Sequence, residues 1–204
     1  MVVIQKMKFK KINRRKTKGN YIPLFSVGII LLLFIYSFSH NQINDFNWNG
    51  IRKEVKDSII AFEKYGGLTS EFVGYAGKTT EQWYRQNWLN ENLKEGELSK
   101  LTEYPNGSVK GLAYWNLFKN EKVKKRKLFE KALNDTLAFV HYQSGCIGTG
   151  FMLGEFVVSY LPMTENIKLE EILTEEENKE ILNLLKKRKM KENFYKKEYY
   201  KTLK

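Results

Sequence analysis

Apolar side chains recur at spacings of three and four through much of the chain, and that period predicts helices. Ile51, Val55, Ile59 and Phe62 stand four, four and three apart, with Arg52, Lys53, Glu54, Lys56 and Asp57 among them. The result is one stripe on an amphipathic helix. Tyr65-Gly66-Gly67 ends it, because glycine accepts the left-handed conformation of a helix C-terminus. The stretch 66–79 reads as an ordered loop between helices. Thr79 and Thr80 offer N-caps for a helix over 81–93, where Tyr84 and Trp88, and Leu89 and Leu93, form i,i+4 pairs. Trp83, Tyr84 and Trp88 read as core and edge packing.

Beyond Glu97 the pattern repeats. Leu98 and Leu101 share a face, Pro105-Asn106-Gly107 makes a turn, and Val109, Leu112, Ala113 and Leu117 form a second face. Leu128, Phe129, Ala132 and Leu133 follow, then a turn at Asn134-Asp135-Thr136, and Val140 opens another segment. Residues 147–161 are almost wholly apolar, with Glu155 the single charge. They predict the centre of the core, as a helix or as a short strand around Phe156-Val157-Val158, and Pro162 stops the run. Thr174 and Glu177 have the spacing of a capping box. The helix it opens carries Ile181, Leu182 and Leu185 and ends in Lys186, Lys187, Arg188 and Lys189, which complement the negative end of its dipole.

The longest apolar run is elsewhere. Residues 21–38 carry no charge and follow a leader, 1–20, with eight basic residues and no acid. Eighteen helical residues span about 27 Å, close to the ~30 Å of a bilayer core. The expectation is a single transmembrane anchor, or a signal segment with Ser37-Phe38-Ser39 as its small-x-small site. Positive-inside topology puts the leader in the cytoplasm and the rest outside it. The expected partners are therefore the lipid bilayer, through 21–38, and a protein of the cell envelope. In this scheme 39–49 is a linker, 50–185 a helical domain and 186–204 a basic-aromatic tail.

Charge supports that division. The 204-residue chain has a formal net charge of +12, but residues 186–204 contribute nine basic side chains against two acids. With the leader removed as well, 21–185 balances at −3. The positive charge belongs to the ends, so nucleic acid is not an expected partner.

Candidate chemistry is sparse. Cys146 is the lone cysteine, so no internal disulfide forms. His141 stands five residues before it with Ser144 between, and Asp135 completes a nominal hydrolase set. A small buried thiol is the commoner role for such a cysteine. No His/Cys cluster has zinc spacing, and Gly74-Tyr75-Ala76-Gly77-Lys78-Thr79 is too short an arc for a phosphate loop. No cofactor is expected.

The run LSKLTEYPNGSVKGLAYWNLF resembles the second half of a HEAT-type repeat, and KLFEKALNDTLAFV looks like a degenerate neighbour. Val109 to Val140 is a period of 31 residues, in the range of stacked helical hairpins. The resemblance covers residues 97–140 and implies an all-α fold, a small bundle or solenoid of HEAT-like hairpins behind the anchor. It implies a surface for another macromolecule and no catalytic residue. The expected function is that of a non-catalytic interaction module presenting Tyr75, Trp83, Tyr114 and Trp115, large aromatics near turns or off the main stripe. The alternatives are an immunity or inhibitor protein against an exported toxin, a hydrolase using Cys146 or Ser144, and a lipid or small-molecule carrier with a pocket lined by 147–161.

Overall fold

Helix α1 (Lys53–Tyr65) forms on the predicted stripe, burying Val55, Ile59 and Phe62, and closes at Gly66 with φ 101°. The computed structural model describes residues 27–30 and 46–190. The chain divides into two units, Met1–Gln42 and Ile43–Lys204. Of the first, only residues 27–30 are described, and they are helical.

After α1 the expected loop is a hairpin. β1 (Leu68–Val73) turns through Gly74 and Gly77, both at positive φ, into the two-residue β2 (Lys78–Thr79). Three helices follow: α2 (Glu81–Asn92), α3 (Glu95–Leu101) and α4 (Gly107–Lys119). Thr80 caps α2 by accepting from the Trp83 N–H, and Asn106 caps α4 by accepting from Ser108 and Val109. α5 (Lys125–Asn134) buries the predicted face Leu128, Phe129, Ala132 and Leu133.

The chain then leaves the helical period. β3 (Phe139–Gly145) and β4 (Ile147–Met152) form an antiparallel hairpin in register from Phe139↔Met152 to Ser144↔Ile147. Gly145 takes φ 54° at the reversal, where two-residue hairpins of the II′ kind place a glycine. β3 also pairs parallel with β1, giving a four-stranded sheet in the order β2-β1-β3-β4. The parallel pair is joined by a crossover that contains β2 and α2 to α5, since parallel neighbours cannot be joined by a tight turn.

The all-α expectation, with its bundle or solenoid of HEAT-like hairpins, is therefore corrected to a mixed α/β fold. The cause lies in β3, where Phe139 and His141 are exposed while Val140 and Tyr142 are buried. Apolar residues two apart there serve a sheet with one covered face.

The apolar stretch 147–161 is split between both predicted forms. Its first part is β4, and its second is α6 (Leu153–Glu155) followed by a π-helical turn, Phe156–Tyr160, and α7 (Leu161–Thr164). Pro162 does not stop this run. It falls in the first turn of α7, where its missing N–H costs little. α8 (Leu169–Ile172) leads to α9 (Glu175–Lys187), opened by the predicted box: Glu177 N–H donates to Thr174 Oγ1 at 3.3 Å and Thr174 N–H to Glu177 Oε2 at 3.0 Å.

The expected transmembrane anchor is corrected too. Among the described residues no helix is long and apolar enough to cross a membrane, and the assignment to a single-pass envelope topology is not kept. Of 21–38 only 27–30 are described; the leader 1–20 and the tail beyond residue 190 lie outside the described residues.

Helix α4 is the centre of the core. Nine of its thirteen residues are buried, on nearly every side, because it touches the sheet as well as α1, α2, α3, α5 and the π turn. Two glycines permit the approach. A Cβ on Gly107 would lie 2.1 Å from the Phe139 carbonyl oxygen, and one on Gly111 2.9 Å from Val140 Cγ1. Ser108, also in the first turn, accepts the His141 N–H at 3.0 Å.

Helix α2 inverts the expected pattern. Its buried residues are Gln82, Gln86 and Leu89, whereas Tyr84 is 64% and Trp88 37% exposed. The two glutamines complete the edge of β1. Gln86 accepts the Thr69 N–H at 3.1 Å and donates to the Thr69 carbonyl at 3.2 Å, while Gln82 donates to the Gly67 carbonyl at 2.7 Å. An unpaired buried backbone group is costly, and β2 is too short to reach these residues.

Candidate functional site

Where α2 ends, α3 begins and α4 ends, the chain encloses an open cleft of about 400 Å³. Asn90, Glu91 and Leu93 come from α2 and its C-cap, Glu95 and Leu98 from α3, and Trp115, Asn116, Lys119 and Asn120 from α4 and its C-cap. Trp115, Asn116, Lys119 and Asn120 fall at helical spacing on the side of α4 that its neighbours leave uncovered. Asn116 Nδ2 bridges the helices, donating to Asn90 Oδ1 at 2.8 Å and to the Leu112 carbonyl at 2.9 Å.

The wall is held from behind. Trp115 Nε1 donates to Glu165 Oε1 at 2.5 Å, and Lys119 Nζ lies 3.1 Å from the same oxygen and 5.4 Å from the indole centroid. Glu165 is the C-cap of α7, so the end of the helical run after β4 fixes the orientation of the indole. Trp115 also meets Phe156 edge-on at 6.1 Å. Opposite, the rim carries Glu91 and Glu95, both exposed.

Glu97, in the first turn of α3 next to the lining residue Leu98, anchors the start of that helix. Its carboxylate accepts from Arg52 Nε at 3.0 Å and Arg52 Nη2 at 2.8 Å, and from the backbone N–H groups of Arg52 and Lys94. The Arg52 guanidinium holds this carboxyl at about 2 against the opposing effect of burial, and the two backbone donors assist it. Burial, reinforced by Glu103 and Asp135, pushes the Tyr114 phenol up.

The four aromatics expected to form a surface are not brought together. Tyr75 stands fully exposed at the tip of the β1–β2 hairpin, and Trp83 is half-buried in the first turn of α2, at the opposite end of that helix from the cleft. Tyr114 is 1% exposed and belongs to the core. Trp115 alone lines the cleft. Its neighbours Asn90, Asn116 and Lys119 escaped the sequence reading. The available signal was asparagine inside predicted helices, where its side chain competes with backbone hydrogen bonds and is tolerated best when it has another partner.

The nominal hydrolase residues are dispersed. Cys146 is exposed at the hairpin reversal, and His141 lies four residues before the end of β3 at Gly145, about 13 Å at strand rise. Ser144 and His141 lie on opposite faces of the strand by its two-residue alternation. Asp135 is paired with Lys110 and accepts the Leu137 and Ala138 N–H groups. Among the described residues no group of His, Cys, Asp and Glu is arranged to hold a metal.

The chain matches no family model, no curated protein and no solved structure.

Proposed function

We propose that the chain is a protein-interaction module whose cleft takes an extended, cationic segment of another protein. The observation that carries this reading is that asparagine amides and two rim carboxylates line one open groove. Carboxamides donate and accept at once, as the backbone of an extended peptide requires. Glu91 and Glu95 supply complementary charge for a lysine or arginine, and Leu93, Leu98 and the indole of Trp115 supply apolar contact for its stem. An indole held by its hydrogen bond to Glu165 is a rigid anchor, so little side-chain entropy is lost on binding. The proposal assigns the chain no chemical step.

The test is selection of a random displayed peptide library on the full chain. Peptides with a basic residue beside an apolar one are expected to be enriched. Reversing the rim with Glu91→Lys and Glu95→Lys is expected to weaken them by at least about tenfold, or ~1.4 kcal/mol, with an unchanged circular dichroism spectrum. Enriched peptides that bind the reversed variant equally well would place recognition elsewhere and overturn the proposal.

A further inference from the structure

We infer that the open edge of β4 is the contact between two copies of this chain, joined antiparallel about Thr149 into one continuous sheet. The bonding pattern of the hairpin shows which groups are free. Leu153 N–H donates to the Ala138 carbonyl at 3.0 Å, which makes Ala138 and Leu153 a hydrogen-bonded pair. Counting by two along the register, Val140 with Phe151, Tyr142 with Thr149 and Ser144 with Ile147 are bonded pairs as well. Gly148, Gly150 and Met152 therefore turn their N–H and C=O away from β3. The Met152 N–H is taken by Glu155 Oε2 at 3.1 Å. Those of Gly148 and Gly150 face outward, and both residues are exposed.

The two edges of the sheet are treated differently. Over residues 67–69 the free side of β1 is closed by the buried amides of Gln82 and Gln86. Among the described residues β4 has no such cover, and the strand holds none of the proline, lysine or inward charge that ordinarily guards an edge strand. Its six residues, IGTGFM, are uncharged.

The occupant follows from the register. A two-fold axis at Thr149 sets Gly148 opposite Gly150 of the second copy, and Gly150 opposite its Gly148. Each of these pairs exchanges both of its bonds, so every outward N–H and C=O of the glycines is used. No Cβ intervenes at the bonded positions, and no charge meets a like charge across the axis. Ile147, 60% exposed, falls opposite Phe151 of the second copy on the sheet face that packs on α4. A symmetric strand that satisfies itself in this way is an isologous contact.

The experiment uses the full chain. Light scattering behind size exclusion is expected to give twice the 24.1 kDa chain mass. Gly148→Pro deletes one outward N–H and leaves the β3 ladder intact; a Cβ there meets nothing within 4 Å. The variant is expected to be monomeric with an unchanged circular dichroism spectrum. In a Cys146→Ser background, Thr149→Cys is expected to cross-link to its own copy on oxidation, since facing residues of a non-bonded antiparallel pair stand about 4.5 Å apart at Cα, within disulfide reach. Ile147→Cys, whose counterpart lies across the strand at Phe151, is expected not to. A monomeric wild-type chain, a dimer that survives Gly148→Pro, or equal cross-linking at 147 and 149 would overturn the inference.

Discussion

Arg52 and Glu97 lie 45 residues apart in sequence and meet through two side-chain hydrogen bonds, with Glu97 only 3% exposed. The Glu97 carboxyl is held at about 2, below its ordinary value of 4.5. Its ionised form therefore contributes stability that is fully present above pH 4.5 and is lost as the pH falls from there through about 2. Glu97→Gln is expected to lower stability near neutral pH by about 2 kcal/mol, between the values typical of exposed and buried pairs. It is also expected to flatten the decline between pH 4.5 and 2, checked by urea unfolding at several pH values. Ser159 gives the opposite case. Its hydroxyl is buried in the π turn without a hydrogen-bond partner among the described residues, so Ser159→Ala is expected to raise stability by about 1 kcal/mol, measured in the same assay. Neither residue was singled out by its place in the sequence. A polar side chain shows its character on the chain, but its burial and its partner come from elements brought together later.

At the scale of elements, the helical period located α1, α5 and α9 well, because each packs through one face and leaves the other to solvent. It misjudged elements covered on more than one side or required to meet a strand. Tyr114 lies off the apolar stripe of α4 and was expected at the surface, yet α4 is enclosed by sheet and helices and the tyrosine is buried. On α2 the inward face is chosen by hydrogen bonding to β1 instead of by hydrophobicity, so Gln82 and Gln86 go in and Tyr84 and Trp88 stay out. Gln86→Ala leaves both backbone groups of the fully buried Thr69 unpaired and is expected to cost about 2–3 kcal/mol. Tyr84→Ala, despite losing a large aromatic, is expected to change stability by under ~0.5 kcal/mol. A reversal of that order in chemical denaturation would refute the role given to the amides.

For the molecule as a whole, the decisive join is the parallel pairing of β1 with β3, made across the crossover of β2 and α2 to α5. It places α4 against the sheet and the cleft at the far end of the same helix. The unit Ile43–Lys204 holds this whole core and all four tryptophans. A chain begun at Ile43 is expected to unfold in one transition, with tryptophan fluorescence and far-ultraviolet circular dichroism coincident on heating. Separate midpoints would show that the sheet and helices are not one cooperative body.

By itself the sequence determined features whose cause is local. The stripe of α1 and its glycine stop, the cap at Thr80, the face of α5 and the Thr174 box all follow from side chains within a few residues of one another. Only the tertiary structure decided that Phe139–Met152 is a hairpin, that Tyr114 is core and that Trp115 faces a cleft with Asn90 and Lys119. A strand is stable only beside its neighbour, and a cleft exists only between elements. The neighbours of β3 and α4 lie up to 75 residues away, at Ser70 and Gly145, beyond the reach of any local periodicity.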